Sequence, residues 1–118
     1  SVDYHKNMSI IGRVQKGGHK EIMAIGSYAA DDDSRAEVAF VVREDFQGMG
    51  IATYLIEILE KIAKENQYTS FSASVLRENA AMIRVFKKRY PNAKISVNSG
   101  SDLLIRMDFA DAVERDNT

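Results

Sequence analysis

Residues 47–52, Gln-Gly-Met-Gly-Ile-Ala, are the part of this chain best suited to binding an anion. They stand between an apolar, strand-like run that ends at Arg43 and a long amphipathic pattern that begins at Ile51. Two glycines at such a junction have two explanations. They either make a tight turn or leave backbone N–H groups uncovered at a helix N-terminus, where a phosphate can approach closely.

Two common phosphate-binding motifs do not match this segment. A Walker loop needs Lys followed by Ser or Thr after its last glycine, and this chain has Ile51 and Ala52 there. The dinucleotide fingerprint needs a third glycine, where the chain has Thr53, and an acidic residue about 20 positions further on, where residues 66–68 are Asn-Gln-Tyr. A Rossmann-type nucleotide binder is therefore the weakest of the alternatives.

Glu37 is a carboxylate inside the apolar run of residues 35–43. An unpaired charge is costly among apolar side chains, so Glu37 either faces a wet cleft or is paired, for example with Arg35 or Lys20. A carboxylate in a wet cleft can act as a general base toward a bound amine. A catalytic role and a purely structural role are both open at this point.

Hydrophobic periodicity predicts alternating strands and helices around these candidates. The strand–helix–strand unit of residues 35–75 implies a parallel pair of strands with a right-handed crossover. The only proline, Pro91, ends the second helix. The predicted strands are residues 8–15, 21–29, 35–43, 69–75, 93–97 and 102–109, the helices are 51–66 and 80–90, the domain is 1–110, and 111–118 form a polar tail.

Composition limits the class of protein. The 118 residues include 16 Lys and Arg and 17 Asp and Glu, so the formal net charge is −1 and no overall field attracts nucleic acid or a membrane. The chain has no cysteine, His5 and His19 are far apart, and no metal-ligand spacing occurs. No apolar run approaches the ~20 residues that span a bilayer, and the start is unlike a signal peptide. We expect a cytoplasmic protein with no metal.

Three segments resemble the GNAT acyltransferase superfamily. Residues 47–52 fit Q-x-x-G-x-A between a strand and a helix, which is similar to the family's pyrophosphate-binding signature. Residues 36–42 resemble its fourth strand, which splays from the next strand and pairs with the pantetheine arm of acetyl-CoA. Residues 75–79 resemble its fifth strand and cofactor-contacting asparagine. The resemblance covers roughly residues 2–109 and extends to GNAT domains of bacterial protein lysine acetyltransferases fused to acyl-CoA-synthetase-like domains.

The resemblance implies a fold and a set of functional residues. The fold is α/β, with a mixed, mostly antiparallel sheet, flanking helices and a V-shaped notch between the third strand and the strand at Thr69. Acetyl-CoA would bind in that notch as co-substrate, and Glu37 would be the general base. The implied cofactor-binding residues are Phe40, Val41, Val42, Gln47, Gly48, Met49, Gly50, Ile51, Ala52, Thr53, Asn79 and Phe86.

Three features depart from the family's pattern. Phe86 stands where many members have a tyrosine general acid, so the departing thiolate would leave unprotonated or take a proton from water or Tyr90. Ser74 stands where some members have a carboxylate base, which leaves Glu37 as the candidate. The chain also lacks the strand and two helices with which the family begins, so we expect an N-terminally incomplete domain.

The resemblance implies direct acetyl transfer from acetyl-CoA to a primary amine, without a covalent enzyme intermediate. The acceptor would be a protein lysine in the first place, and a polyamine-like or amino-acid amine in the second. The main alternative is a non-catalytic CoA-binding regulatory domain, which Phe86 and Ser74 favour. A fused upstream domain and a homodimer are further expectations to be tested.

Overall fold

The computed structural model describes residues 6–114, which form a six-stranded mixed sheet and two α-helices. All the predicted strands and helices are present, with ends that differ by at most two residues. Short 3-10 turns lie at Glu44–Phe46 and Phe109–Asp111. The strands are β1 (Asn7–Lys16), β2 (His19–Ala30), β3 (Arg35–Val42), β4 (Ser70–Leu76), β5 (Lys94–Ser99) and β6 (Asp102–Asp108), and the helices are α1 (Ile51–Glu65) and α2 (Ala80–Arg89).

The sheet is split between β3 and β4. The strand order is β1-β2-β3-β4-β6-β5, and of these neighbours only β3 and β4 are parallel within residues 6–114. Their pairing runs from Arg35 opposite Ser70 to Glu37 opposite Ser72 and then stops. Beyond that point β3 pairs with β2 alone and β4 pairs with β6. The predicted V-shaped notch is confirmed, and Glu37 lies at its vertex.

Both helices pack on one face of the sheet. Leu59 of α1 and Phe86 of α2 belong to the same buried cluster as Ala36 and Val38 of β3. Alternation along β3 turns Glu37, Ala39 and Val41 to the opposite, exposed face, as the sequence predicts. Burying each large apolar side chain contributes about 1.5–3 kcal/mol to folding. The apolar face of α1 therefore holds this helix, which connects β3 to β4, against the sheet.

A buried ionic network joins the C-terminal halves of the helices. Glu60 of α1 is 3% exposed and accepts hydrogen bonds from the Tyr90 hydroxyl and from Arg89 Nη2, the latter at 3.1 Å. Lys64 Nζ lies 3.1 Å from the same carboxylate. Burial opposes ionisation of Glu60, but the bonds from Tyr90 and Arg89 outweigh it and keep the Glu60 pKa below its usual value. The network fixes α2 against α1.

Candidate active site

The loop between β3 and α1 has the conformation that its two glycines allow. Gly48 and Gly50 both have φ of +80°, and Gly50 is the N-cap residue of α1. A Cβ atom at either position would meet nothing within 4 Å. The glycines are therefore required by the left-handed backbone and not by packing, and the space beside them is open.

The backbone N–H groups of this loop are available to a ligand. Within the part of the chain that the structure describes, the N–H groups of residues 48–53 donate no hydrogen bond to a backbone carbonyl, and the first such bond in α1 runs from Tyr54 N to Gly50 O at 3.0 Å. The first turn of α1 carries no acidic residue. Free amides and the positive end of the helix dipole favour an anion at this point.

Side chains on both sides of the loop hold it in place. Gln47 Nε2 donates a hydrogen bond to the Val42 carbonyl at 3.0 Å. Arg43 donates to both carboxylate oxygens of Asp45 at 2.7 Å and to Glu21 of β2 at 2.7 Å. The Arg43 bonds lower the pKa of Asp45 to about 2. These hydrogen bonds fix the loop against β2 and β3, and sequence reasoning missed Arg43 as the residue that holds it.

A cleft of about 270 Å³ begins beside these amides and runs along the outer half of β3. Met82 and Val85 of α2 form its opposite wall. The cleft brings together seven of the predicted cofactor-binding residues, which are Phe40, Val41, Val42, Gln47, Gly48, Ala52 and Asn79.

The remaining predicted cofactor residues lie elsewhere. Met49, Gly50 and Ile51 line a second depression of about 400 Å³, between α1 and strands β1 and β2, so only their backbone groups are placed to serve the first cleft. Thr53 is half-buried in the first turn of α1. Phe86 is 1% exposed and lies under the notch, where it lines a further cavity.

That further cavity, of about 200 Å³, lies in the notch. Val38 and Ala73 line it from the helix-covered face, while Ala39 and Ser74 line it from the exposed face that also carries Glu37. The cavity between the diverging strands β3 and β4 is therefore bordered by residues of both faces of the sheet. Phe40, Asn79 and Met82 line both this cavity and the cleft, so the two are continuous.

Asn79 stands where the cleft and the notch meet. Its Oδ1 accepts a hydrogen bond from Met82 N at 3.2 Å and caps α2. The cap satisfies one of the uncovered N–H groups of the helix and orients the side chain. A ligand would therefore meet the amide nitrogen of Asn79 more readily than its oxygen.

Glu37 is exposed, and among the ion pairs of residues 6–114 it has none. The pairing with Arg35 that a structural role suggested is wrong, because Arg35 is held by Asp32 at 2.8 Å and by Asp31 at 3.6 Å. The residues that pair with Glu37 in the sheet are Ala29 on β2 and Ser72 on β4, which are both small. The carboxylate is thus accessible at the vertex of the notch.

Tyr90 does not reach the notch as a proton donor. Its side chain is fully buried, its hydroxyl donates to Glu60, and burial together with that carboxylate raises the Tyr90 pKa far above its usual value. The expectation that Tyr90 could protonate a leaving thiolate is therefore wrong. Phe86, which has no ionisable group, occupies the buried side of the notch.

No helix between residues 6 and 114 is long and apolar enough to cross a membrane. In that range, no three His, Cys, Asp or Glu side chains are grouped so that they could hold a metal ion.

A split sheet with uncovered helix-terminal amides at its mouth defines an α/β protein with a candidate anion-binding loop. The chain belongs to the acetyltransferase (GNAT) family, whose family model matches residues 3–90. It is 27% identical over 82 residues to the Pseudomonas aeruginosa protein named Acetyltransferase PA5475, covering 69% of this chain and 44% of that protein. Family membership supports an acyltransferase.

Solved structures agree with this assignment. The GNAT domain of S. lividans PAT is 25% identical with a TM-score of 0.76, and the match covers 92% of this chain and 64% of that one. A cAMP-binding acyltransferase from Mycobacterium smegmatis is 26% identical with a TM-score of 0.74, covering 91% and 32%. The chain thus spans between about a third and two thirds of the length of these relatives.

Proposed function

We propose that this chain is an acetyl-CoA-dependent N-acetyltransferase that moves the acetyl group directly to a primary amine, with a protein lysine as the first choice of acceptor. The observation that carries the proposal is the cavity in the notch, which is bordered by residues of both faces of the sheet. It would let a thioester enter from the helix-covered face while an amine approaches from the face of Glu37.

The continuous path from loop to notch suits an elongated, phosphorylated thioester. The pyrophosphate of acetyl-CoA would bind the N–H groups of residues 48–53. The backbone of residues 38–42, which has no strand partner on the β4 side, would pair with the amides of the pantetheine arm. The thioester would then lie between Phe40 and Asn79, where the cleft joins the notch.

Glu37 supplies the proton transfer that the reaction needs. The amine nitrogen attacks the thioester carbonyl, the carbon–sulfur bond breaks, and the proton lost by the amine passes to the Glu37 carboxylate directly or through water. The sulfur leaves as the thiolate of CoA. The exposed position of Glu37 at the vertex allows an acceptor as large as a protein to reach it.

Relatives guide the choice of acceptor and cofactor. The sequence resemblance is to the GNAT domains of bacterial protein lysine acetyltransferases, and a structure of the S. lividans PAT GNAT domain has the same fold at 25% identity. A putative acetyltransferase from Salmonella typhimurium, 17% identical with a TM-score of 0.63, was solved with its cofactor acetyl-CoA. Small polyamine-like or amino-acid amines are the second choice of acceptor.

A CoA-binding regulatory domain without catalysis is the second candidate function. It is favoured by Phe86 and Ser74 at two common catalytic positions and by the sequestered hydroxyl of Tyr90. Under this alternative the loop and the cleft bind CoA as proposed, but no amine is acetylated.

One experiment separates these functions. The 118-residue chain is titrated with CoA by calorimetry and then assayed for thiol release from acetyl-CoA with lysine peptides, spermidine and free amino acids. The proposal expects CoA binding and amine-dependent thiol release that is greatest with a lysine peptide. Binding without turnover on any amine would favour the regulatory domain, and no binding would contradict both functions.

A further inference from the structure

Gly26 of β2 leaves space that the Phe40 ring of β3 occupies. The two residues are direct partners in the antiparallel pairing of β2 with β3. A Cβ atom at Gly26 would lie 3.0 Å from both Cδ1 and Cε1 of Phe40, and 3.3 Å from Cδ1 of Leu59. Ordinary carbon–carbon contacts are about 3.5–4.0 Å, so an added methyl group would displace the ring by roughly half an ångström or more.

Glycine is required at position 26 because the Phe40 ring leaves no space for a side chain, and not because of the backbone conformation. The positive-φ residues of residues 6–114 are Gly17, Gly18, Gly48, Gly50 and Gln67, so the backbone of Gly26 is one that any residue adopts. Glycine inside a strand often marks the close approach of another group, and here that group is an aromatic ring.

The Phe40 ring of Gly26→Ala could not yield toward β2, where the new methyl group would lie. The Cδ1–Cε1 edge of the ring lies against Gly26, and Leu59 of α1 also borders the space over Gly26. Because β3 stands between β2 and β4, movement of the ring away from β2 leads toward Phe86, whose ring centroid is 6.1 Å away, and into the notch that both rings line.

We propose that Gly26 sets the length of the acyl chain that the notch accepts, by letting the Phe40 ring lie over β2 and out of the notch. This inference rests on the proposed function, in which the acyl group of an acyl-CoA occupies that cavity of about 200 Å³. Gly26 does not touch the acyl group and acts as a positioning residue through Phe40. The ligands concerned are short aliphatic acyl-CoA thioesters, acetyl and propionyl.

The test measures the affinities of CoA, acetyl-CoA and propionyl-CoA by calorimetry for the original chain and for Gly26→Ala. We expect Gly26→Ala to keep its affinity for CoA and to lose affinity for propionyl-CoA about tenfold more than for acetyl-CoA, which is the discrimination typical of one methylene in a tight pocket. Adding Phe40→Leu to Gly26→Ala should restore the propionyl-to-acetyl ratio.

Gly12→Ala is the matched control. Gly12 is also a strand glycine, and its added Cβ would lie 3.3 Å from Met23 Cε, which is the end of a flexible side chain, and neither residue lines the notch cavity. Its acyl-chain ratio should equal that of the original chain. This comparison separates a general effect of replacing a strand glycine from movement of the Phe40 ring.

An unchanged acyl-chain ratio in folded Gly26→Ala would overturn the inference. If Gly26→Ala does not fold, Phe40→Leu alone decides, because removing the ring should raise the affinity for propionyl-CoA relative to acetyl-CoA, and an unchanged ratio would again refute it. Failure of the proposed function is distinguishable, because it would show in the original chain itself, either as no binding of any CoA thioester or as binding without amine-dependent release of the thiol.

Discussion

Replacing Gly50 by valine tests whether the loop between β3 and α1 binds a pyrophosphate. Gly50 has φ of +80° and ψ of 9°, a conformation that costs an L-residue roughly 1–2 kcal/mol and a β-branched one more. Valine keeps its N–H group, so the change acts by filling the open space beside the loop and by driving the backbone away from the left-handed region. Both effects remove amide-to-phosphate hydrogen bonds while α1 itself can still form.

The size of the loss follows from the charge of the ligand. A hydrogen bond to a charged group contributes roughly 1.5–3 kcal/mol. Losing one such bond therefore weakens CoA binding by roughly 10- to 150-fold, since about 1.4 kcal/mol corresponds to a factor of ten. Calorimetric titration with CoA measures this change, and thermal unfolding of the unliganded chain measures what the substitution does to the fold.

Gly18→Val and Met49→Ala are the controls for this experiment. Gly18 has φ of +84° in the turn between β1 and β2, and no atom lies within 4 Å of its added Cβ. Gly18→Val therefore introduces a similar backbone strain at a site away from the cleft. Met49 lies between the two glycines and is 68% exposed, so its truncation should be mild. Gly50→Val with full CoA affinity and a melting temperature like that of Gly18→Val would show that the glycines only make a turn.

Three further predictions concern catalysis and stability. Glu37→Gln should leave CoA affinity nearly unchanged and lower turnover about 10²-fold or more at neutral pH, and equal turnover in a steady-state assay would return Glu37 to a structural role. Phe86→Tyr should keep or raise activity, whereas a tyrosine-like acidic limb in the pH–rate profile of the original chain would contradict this account. Glu60→Gln should lower the free energy of unfolding by roughly 3 kcal/mol, because Arg89 loses its buried partner. Since the pKa of Glu60 is lowered in the fold, its contribution is present above the unfolded pKa and is lost as the pH falls through the folded one, so urea unfolding of Glu60→Gln should depend less on acid.

The elements of the fold were predictable because each carries a local signal. Alternation along residues 35–42 and helical spacing from Ile51 onward are independent of distant partners, and the structure confirms both. The split of the sheet followed from the resemblance, and its physical cause is the early end of pairing at Glu37. The functional roles assigned to Glu37 and to the loop stay predictions until binding and turnover are measured.

Features that depend on contacts distant in sequence escaped prediction. The helical pattern puts Glu60 on the polar side of α1 with Lys64, and that ion pair is present, but Arg89 and Tyr90 of α2 pack over it and bury the carboxylate. Arg43 holds the loop in part through its hydrogen bond to Glu21, which is 22 residues earlier in the chain. Neither partner is marked by local periodicity, because tertiary packing alone brings these charges together.

The residues that would bind CoA and those that would catalyse are separate in this chain. In the proposed function, binding would depend on main-chain groups of residues 38–42 and 48–53, so it would be insensitive to the side chains at Ser74 and Phe86. Catalysis would depend on Glu37 and on how well the thiolate leaves. A thiol with an ordinary pKa of about 8.5 gives a thiolate that can depart without a proton donor, so the absence of a tyrosine at Phe86 does not remove the reaction. The Glu37→Gln variant is therefore the decisive one. If the chain is the proposed enzyme, this variant should bind CoA as the original chain does but lose turnover, and so behave like a regulatory domain.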